Sequence, residues 1–152
     1  MAMGEHAVCS DRFVDGADSL LIERFVLQED QLKRMNQWQV VGGDGSYVLS
    51  PMVVPTSDGV AVVYAAEQKK DWNIYAVRCG PEGPDDPIAI TASPGVDTDP
   101  AAAWHDGQLW VTWESNRDGC RQVFANRLHG NSIQDPKPVS PEGISSYDPT
   151  IT

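Results

Sequence analysis

Apolar residues along the chain fall in short runs, separated by polar, glycine- and proline-rich punctuation. Residues 60–64 (VAVVY) and 109–113 (LWVTW) are almost wholly apolar. A strand in a half-solvated sheet would alternate, so these runs predict strands covered on both faces. Apolar residues 52–54 and 101–104 lie just upstream, each followed by an Asp-Gly pair at Asp58-Gly59 and Asp106-Gly107. Asp-Gly between apolar runs signals a hairpin, because glycine accepts the positive φ of a tight turn. Polar turns follow at 67–71 and 115–120. Third strands are predicted near 72–78 and 121–128, and fourth strands near 88–91 and 137–139. Eleven prolines and thirteen glycines fit many short strands and argue against a helical protein.

The pattern repeats. Ser50-Pro51, Asp99-Pro100 and Asp148-Pro149 recur 49 residues apart. The same shift lays residues 60–78 on 109–127 without a gap: Val62 meets Val111, Tyr64 meets Trp113, Tyr75 meets Phe124 and Arg78 meets Arg127. Val41, Ile90 and Val139 also fall in register. Four strands in roughly 40–50 residues is the size of one β-propeller blade, which cannot cover its own faces and must stack on neighbours. The expected fold is therefore an all-β β-propeller segment, with two complete four-stranded blades and partial blades at both ends. The expected divisions are a blade at 38–91 (its first residues, 38–41, being the outer strand of the preceding blade), a blade at 92–139, and the start of another at 140–152. Residues 1–37 are expected to be a degenerate partial blade, loose over 1–16. Residues 19–38 admit two readings. Leu21, Phe25, Leu32 and Met35 fit one helix face, but 20–27 and 37–41 lie where strands of a preceding blade should be, and the strand reading is preferred.

Asp97-Thr98-Asp99-Pro100, followed by H-D-G-Q-L-W-V-T-W-E-S-N-R-D-G-C-R-Q-V-F-A at 105–125, resembles the TolB-like propeller repeat. That repeat places an Asp and a Pro before the first strand, then an Asp-Gly turn, an S-x-R-D-G turn and an aromatic-containing strand. Asn73-Ile74-Tyr75 and Gln122-Val123-Phe124 stand at the last position. The resemblance spans about 38–152 and is also similar to sialidase-like (BNR-type) blades. Residues 67–71 (E-Q-K-K-D) depart from the R-D-G form, so that turn is expected to be built differently. The resemblance implies a binding or scaffolding module that recognises a protein, peptide or glycan through loop ends and the channel mouth. The alternative is the propeller portion of a larger hydrolase whose catalytic residues lie outside this chain. Two complete blades cannot close a ring, so either the remainder of a longer chain or a homodimer is expected to complete it.

Composition narrows the partners. Twenty-two acidic against eleven basic residues give a net charge of −11. Nucleic-acid binding, which needs clustered Lys and Arg, is not expected, and neither is membrane insertion. Acidic residues among the first twenty break any signal-peptide core, making the cytoplasm the default expectation for the chain as it stands. Cys9, Cys79 and Cys120 lie far apart with no C-x-x-C pair, which favours free thiols.

No nucleophile elbow, H-E-x-x-H or P-loop occurs. The S-x-D-x-G-x-T-W signature is absent too, and catalysis is not expected. Gly43-Asp44-Gly45 reads as a turn, and His105 and His129 as surface turn residues. Asp97, Asp99 and Asp148 precede first strands, which line the channel in propellers. With Tyr147 they are the candidate channel-mouth residues, and Arg117, Asp118 and Trp72 are candidate loop contacts. No cofactor is expected. Converging carboxylates would suit calcium, but an Asp beside a turn more commonly accepts bonds from nearby backbone N–H groups. Ser50, standing where the other repeats have Asp, favours that local role.

Overall fold

The computed structural model describes residues 5–14, 16–42, 47–117 and 119–152. Met1–Gly4, Asp118 and Gly43-Asp44-Gly45, read from the sequence as a turn, lie outside them. Among the described residues the protein is all-β, with three antiparallel sheets, none closed on itself. Sheet 1 is β1 (Glu5–Val14), β2 (Ala17–Gln28) and β3 (Gln31–Gly42), in that order. Sheet 2 holds β4 (Val48–Pro55), β5 (Val60–Gln68), β6 (Asp71–Gly80), and the short β7 (Gly83–Pro84) and β8 (Ile88–Ala89), both paired with β6. Sheet 3 repeats that plan with β9 (Asp97–His105), β10 (Gln108–Ser115), β11 (Gln122–His129), and the short β12 (Ser132–Ile133) and β13 (Lys137–Pro138) on β11.

The prolines of the repeat mark a shared bulge. The β4–β5 register jumps from Leu49↔Ala65 to Met52↔Val63, so Ser50 and Pro51 together oppose Tyr64. The β9–β10 register jumps from Thr98↔Glu114 to Ala101↔Thr112, so Asp99 and Pro100 oppose Trp113. Two residues against one is a β-bulge, which bends the strand and interrupts the regular ladder locally. Ser50, Asp99 and Asp148 all adopt positive φ, at 51°, 52° and 52°. The opposed aromatics are fully buried and stack on their cross-strand partners, Tyr64 on Tyr75 at 5.7 Å and Trp113 on Phe124 at 6.1 Å.

The sheets stack face to face. One core joins Val54, Ala61, Val63, Ala65, Ile74 and Ala76 of sheet 2 to Leu109, Val111, Trp113, Phe124 and Leu128 of sheet 3. A second core joins Leu20 and Ile22 of sheet 1 to Val60, Val62, Tyr64 and Val77 of sheet 2. Sheet 2 is thus covered on both faces, which explains the unbroken apolar run of β5. Shifting the sheet 3 side of the first core back by 49 residues returns Val60, Val62, Tyr64, Tyr75 and Cys79, the sheet 2 side of the second core. Sheets 2 and 3 therefore offer the same back face to the sheet before each of them.

Two expectations change and two others are sharpened. Residues 1–16 were expected to be loose, yet β1 pairs with β2 along its whole length, from Glu5↔Val26 to Val14↔Ala17. Among the β1 residues whose burial is described, Ala7 and Cys9 pack against the core, too few to make its alternation legible. Residues 20–27 and 37–41 are strands, as preferred, but extend into one long hairpin closed at Glu29-Asp30. Leu21 and Phe25 misleadingly fit a helix because a four-residue spacing also returns to the same face of a strand. Glu29-Asp30, Lys69-Lys70 and Asp106-Gly107 each have positive φ at both positions, the type I′ pattern that matches strand twist. The E-Q-K-K-D segment is therefore a two-residue turn, unlike the longer connection between β10 and β11. At Asp58-Gly59 neither residue has positive φ; a Thr56 N–H to Gly59 carbonyl bond of 3.0 Å closes a four-residue loop. Gly59 is needed there because a Cβ would overlap the Cys79 carbonyl.

Candidate functional site

The described candidates lie at one end of sheets 2 and 3, where β9 and β11 begin and β10 ends. Asp97 opens β9 opposite Ser115. Its carboxylate is only 2% exposed and accepts from Arg117 Nη2 at both oxygens, 3.0 and 2.9 Å. Arg117 Nε donates to Ser115 Oγ at 2.8 Å, and the guanidinium lies 4.4 Å over the Phe124 ring. Arg117 is thus turned inward, and Asp97 is bound by a side chain rather than by the backbone N–H groups expected of it. Burying this carboxylate is tolerable only because the cation and the hydroxyl come with it.

Glu114 forms a second buried unit. Its Oε2 accepts from Arg121 Nη1 at 3.0 Å and its Oε1 from the Asp148 backbone N–H at 2.7 Å. The Arg121 guanidinium sits 5.6 Å from the centroid of Tyr147, and the Arg121 carbonyl accepts from the Ser146 N–H. Tyr147 and Asp148 are therefore held against sheet 3 while their side chains stay exposed. Asp99 is exposed as well, and its Oδ1 accepts from Ser50 Oγ at 3.1 Å. Trp72 is half-buried against the core between sheets 2 and 3; its N–H donates to Gly95, and it bridges Val96 in the connector between those sheets.

The site thus offers polar bulge residues Ser50, Asp99 and Asp148, with the Tyr147 ring next to Asp148, backed by two buried carboxylates, Asp97 paired with the inward-turned Arg117 and Glu114 with the exposed Arg121. Sequence reasoning missed Glu114, Arg121 and Ser115. The available signal was Glu114 itself: a carboxylate in an otherwise apolar strand must find a cation or donors, and Arg121 lies just across the hairpin. Among the described residues no group of three or more His, Cys, Asp or Glu side chains is placed to hold a metal ion. His105 meets only exposed Asp106, at 3.2 Å. The three cysteines are free. Burial, with the charge of Asp11, pushes the Cys9 thiol up to about 12, and burial also raises Cys79, Tyr64 and Tyr75. A raised thiol holds little thiolate, the opposite of an activated nucleophile. No family model and no curated protein sequence matches the chain.

Proposed function

We propose that the chain is a β-propeller segment of TolB-like type that works as a non-catalytic binding module. The stacked four-stranded sheets are read as blades, and the bulge residues Ser50, Asp99 and Asp148 as a row at the channel mouth. The observation that carries this reading is the recurrence of one bulge, one buried aromatic stack and one back face at a 49-residue interval. Exposed carboxylates at Asp99 and Asp148 beside the Tyr147 ring suit a ligand with a cationic or amide-rich segment, and a peptide fits best.

Titration of the full chain with a library of basic and neutral peptides tests the reading. Binding in the micromolar range, weakened at least roughly tenfold in Asp99→Asn/Asp148→Asn, is the expected result. Binding indifferent to both residues, or turnover of a peptide or glycoside by the chain, overturns it.

A further inference from the structure

The repeat defines a second surface. Sheet 2 buries Val54, Ala61, Val63, Ile74, Ala76 and Ile90 against sheet 3. Forty-nine residues on, the same positions in sheet 3 are Ala103, Trp110, Thr112, Val123, Ala125 and Val139. They share one face, as the pairs Trp110↔Ala103 and Thr112↔Ala125 require. No described sheet covers this face. Around Trp110, Ala125 and Val139 it holds a cavity of about 240 Å³, and Val139 is 58% exposed. Trp110 carries the Arg127 guanidinium 5.5 Å above its ring. The repeat-related Arg78 instead lies over Trp104 of the next sheet.

At the other end of the stack, sheet 1 turns Val8, Phe25, Leu27 and Leu32 outward, on the face opposite Ile22. Leu27 and Leu32 form an exposed cross-strand pair. Sheets 2 and 3 each begin with a bulged inner strand, β4 and β9, beside the second strand. In sheet 1 the edge strand β1 has β2 as its one partner among the described residues. Residues 146–152 carry the missing feature: the Asp148-Pro149 bulge conformation, anchored on the open face of sheet 3 through Glu114 and pairing with no strand among the described residues. Strand donor and strand acceptor thus occur on one chain but at opposite ends, with sheet 2 between them.

We propose that sheet 1 of a second copy of this chain covers the open face of sheet 3, with residues 146–152 pairing along the β1 edge of that copy. The same contact is made in return, so two chains associate around a twofold axis through two identical junctions. This rests on the reading of the sheets as one stacking repeat. An exposed strand edge and an apolar face on the same molecule favour such an association.

Sedimentation equilibrium of the full chain at micromolar concentration, with two variants, tests the pairing. Ala125→Arg places a charge on the open face of sheet 3, and Leu27→Arg places one on the outward face of sheet 1. In each homodimer both junctions then contain one blocked face. The wild type is expected to be a dimer, and each variant to dissociate with a Kd raised at least roughly tenfold. An equimolar mixture of the two should associate again, because it regains one junction free of either substitution. A monomeric wild type, variants that remain dimeric, or a mixture that stays monomeric overturns the pairing. Circular dichroism of the same samples separates the two levels: a folded, β-rich monomer overturns the pairing alone, whereas a spectrum without strand content overturns the stacked-repeat reading as well.

Discussion

Ser50 and Asp99, 49 residues apart, occupy the same bulge in consecutive sheets, and the Ser50 hydroxyl donates to Asp99 Oδ1 at 3.1 Å. The strands β4 and β9 are thus tied at the positions where each departs from regular pairing. Left-handed backbone is tolerated by a short polar side chain and penalised in a β-branched one. Asp99→Val should therefore lower stability by about 1–2 kcal/mol. Asp99→Asn, which keeps the acceptor, should stay within about 0.5 kcal/mol of wild type. Urea midpoints distinguish them; equal midpoints would remove the bulge as a fixed feature.

The Asp97–Arg117 pair should behave as a buried ion pair. Arg117→Met strands a carboxylate that is 2% exposed and should cost about 3 kcal/mol. Asp97→Asn in the same chain should recover part of that loss. A double-mutant cycle measures the coupling, and additive effects would show that the two residues act independently.

Trp113 is fully buried, and its Nε1 has no hydrogen-bond partner among the described residues. Trp113→Ala should cost about 3–5 kcal/mol through the cavity it leaves. Trp113→Phe should cost clearly less, because it also removes a donor that is buried without a partner. Thermal or denaturant unfolding of the pair reads the difference, and equal losses would contradict it.

Stability should fall at alkaline pH. Burial raises Cys9 from 9.0 to about 12, and raises Cys79, Tyr64 and Tyr75 above their ordinary values. Above pH 9 the unfolded chain loses these protons first, so it binds fewer than the native state and the unfolding free energy declines as pH rises. Stability is thus full below pH 9 and is lost progressively toward pH 12. Urea midpoints at pH 8 and 10.5 should differ in that direction. In native protein at pH 8, Cys9 and Cys79 should react slowly with a thiol reagent and become fast on unfolding.

Strand content and the repeat were legible because β5 and β10 carry continuous apolar runs; β5 lies between two sheets, whereas β10 packs on sheet 2 by one face and turns Trp110 to a face that no described sheet covers. β1 was not, because its residues alternate between a half-covered face and solvent with no consistent polarity. The turn at Glu29-Asp30 escaped notice, and the polar turn read at 67–71 could not be narrowed to Lys69-Lys70, because none of these residues is the usual glycine or asparagine of a type I′ turn; the strands around them impose the conformation. At the candidate site, Asp97 and Arg117 could each be singled out, but not their mutual bond, since pairing depends on how the β10–β11 loop folds back. Glu114 was overlooked because it falls between the apolar run read at 109–113 and the polar turn read at 115–120.

The position of sheet 2 grades resistance to local opening along the molecule. Either outer sheet can separate by giving up one core, whereas the middle sheet opens only when both cores part. Amide hydrogens of β5 should therefore exchange last and track global unfolding. Those of β1 and β2 should exchange earlier, through a partial opening that leaves sheets 2 and 3 joined.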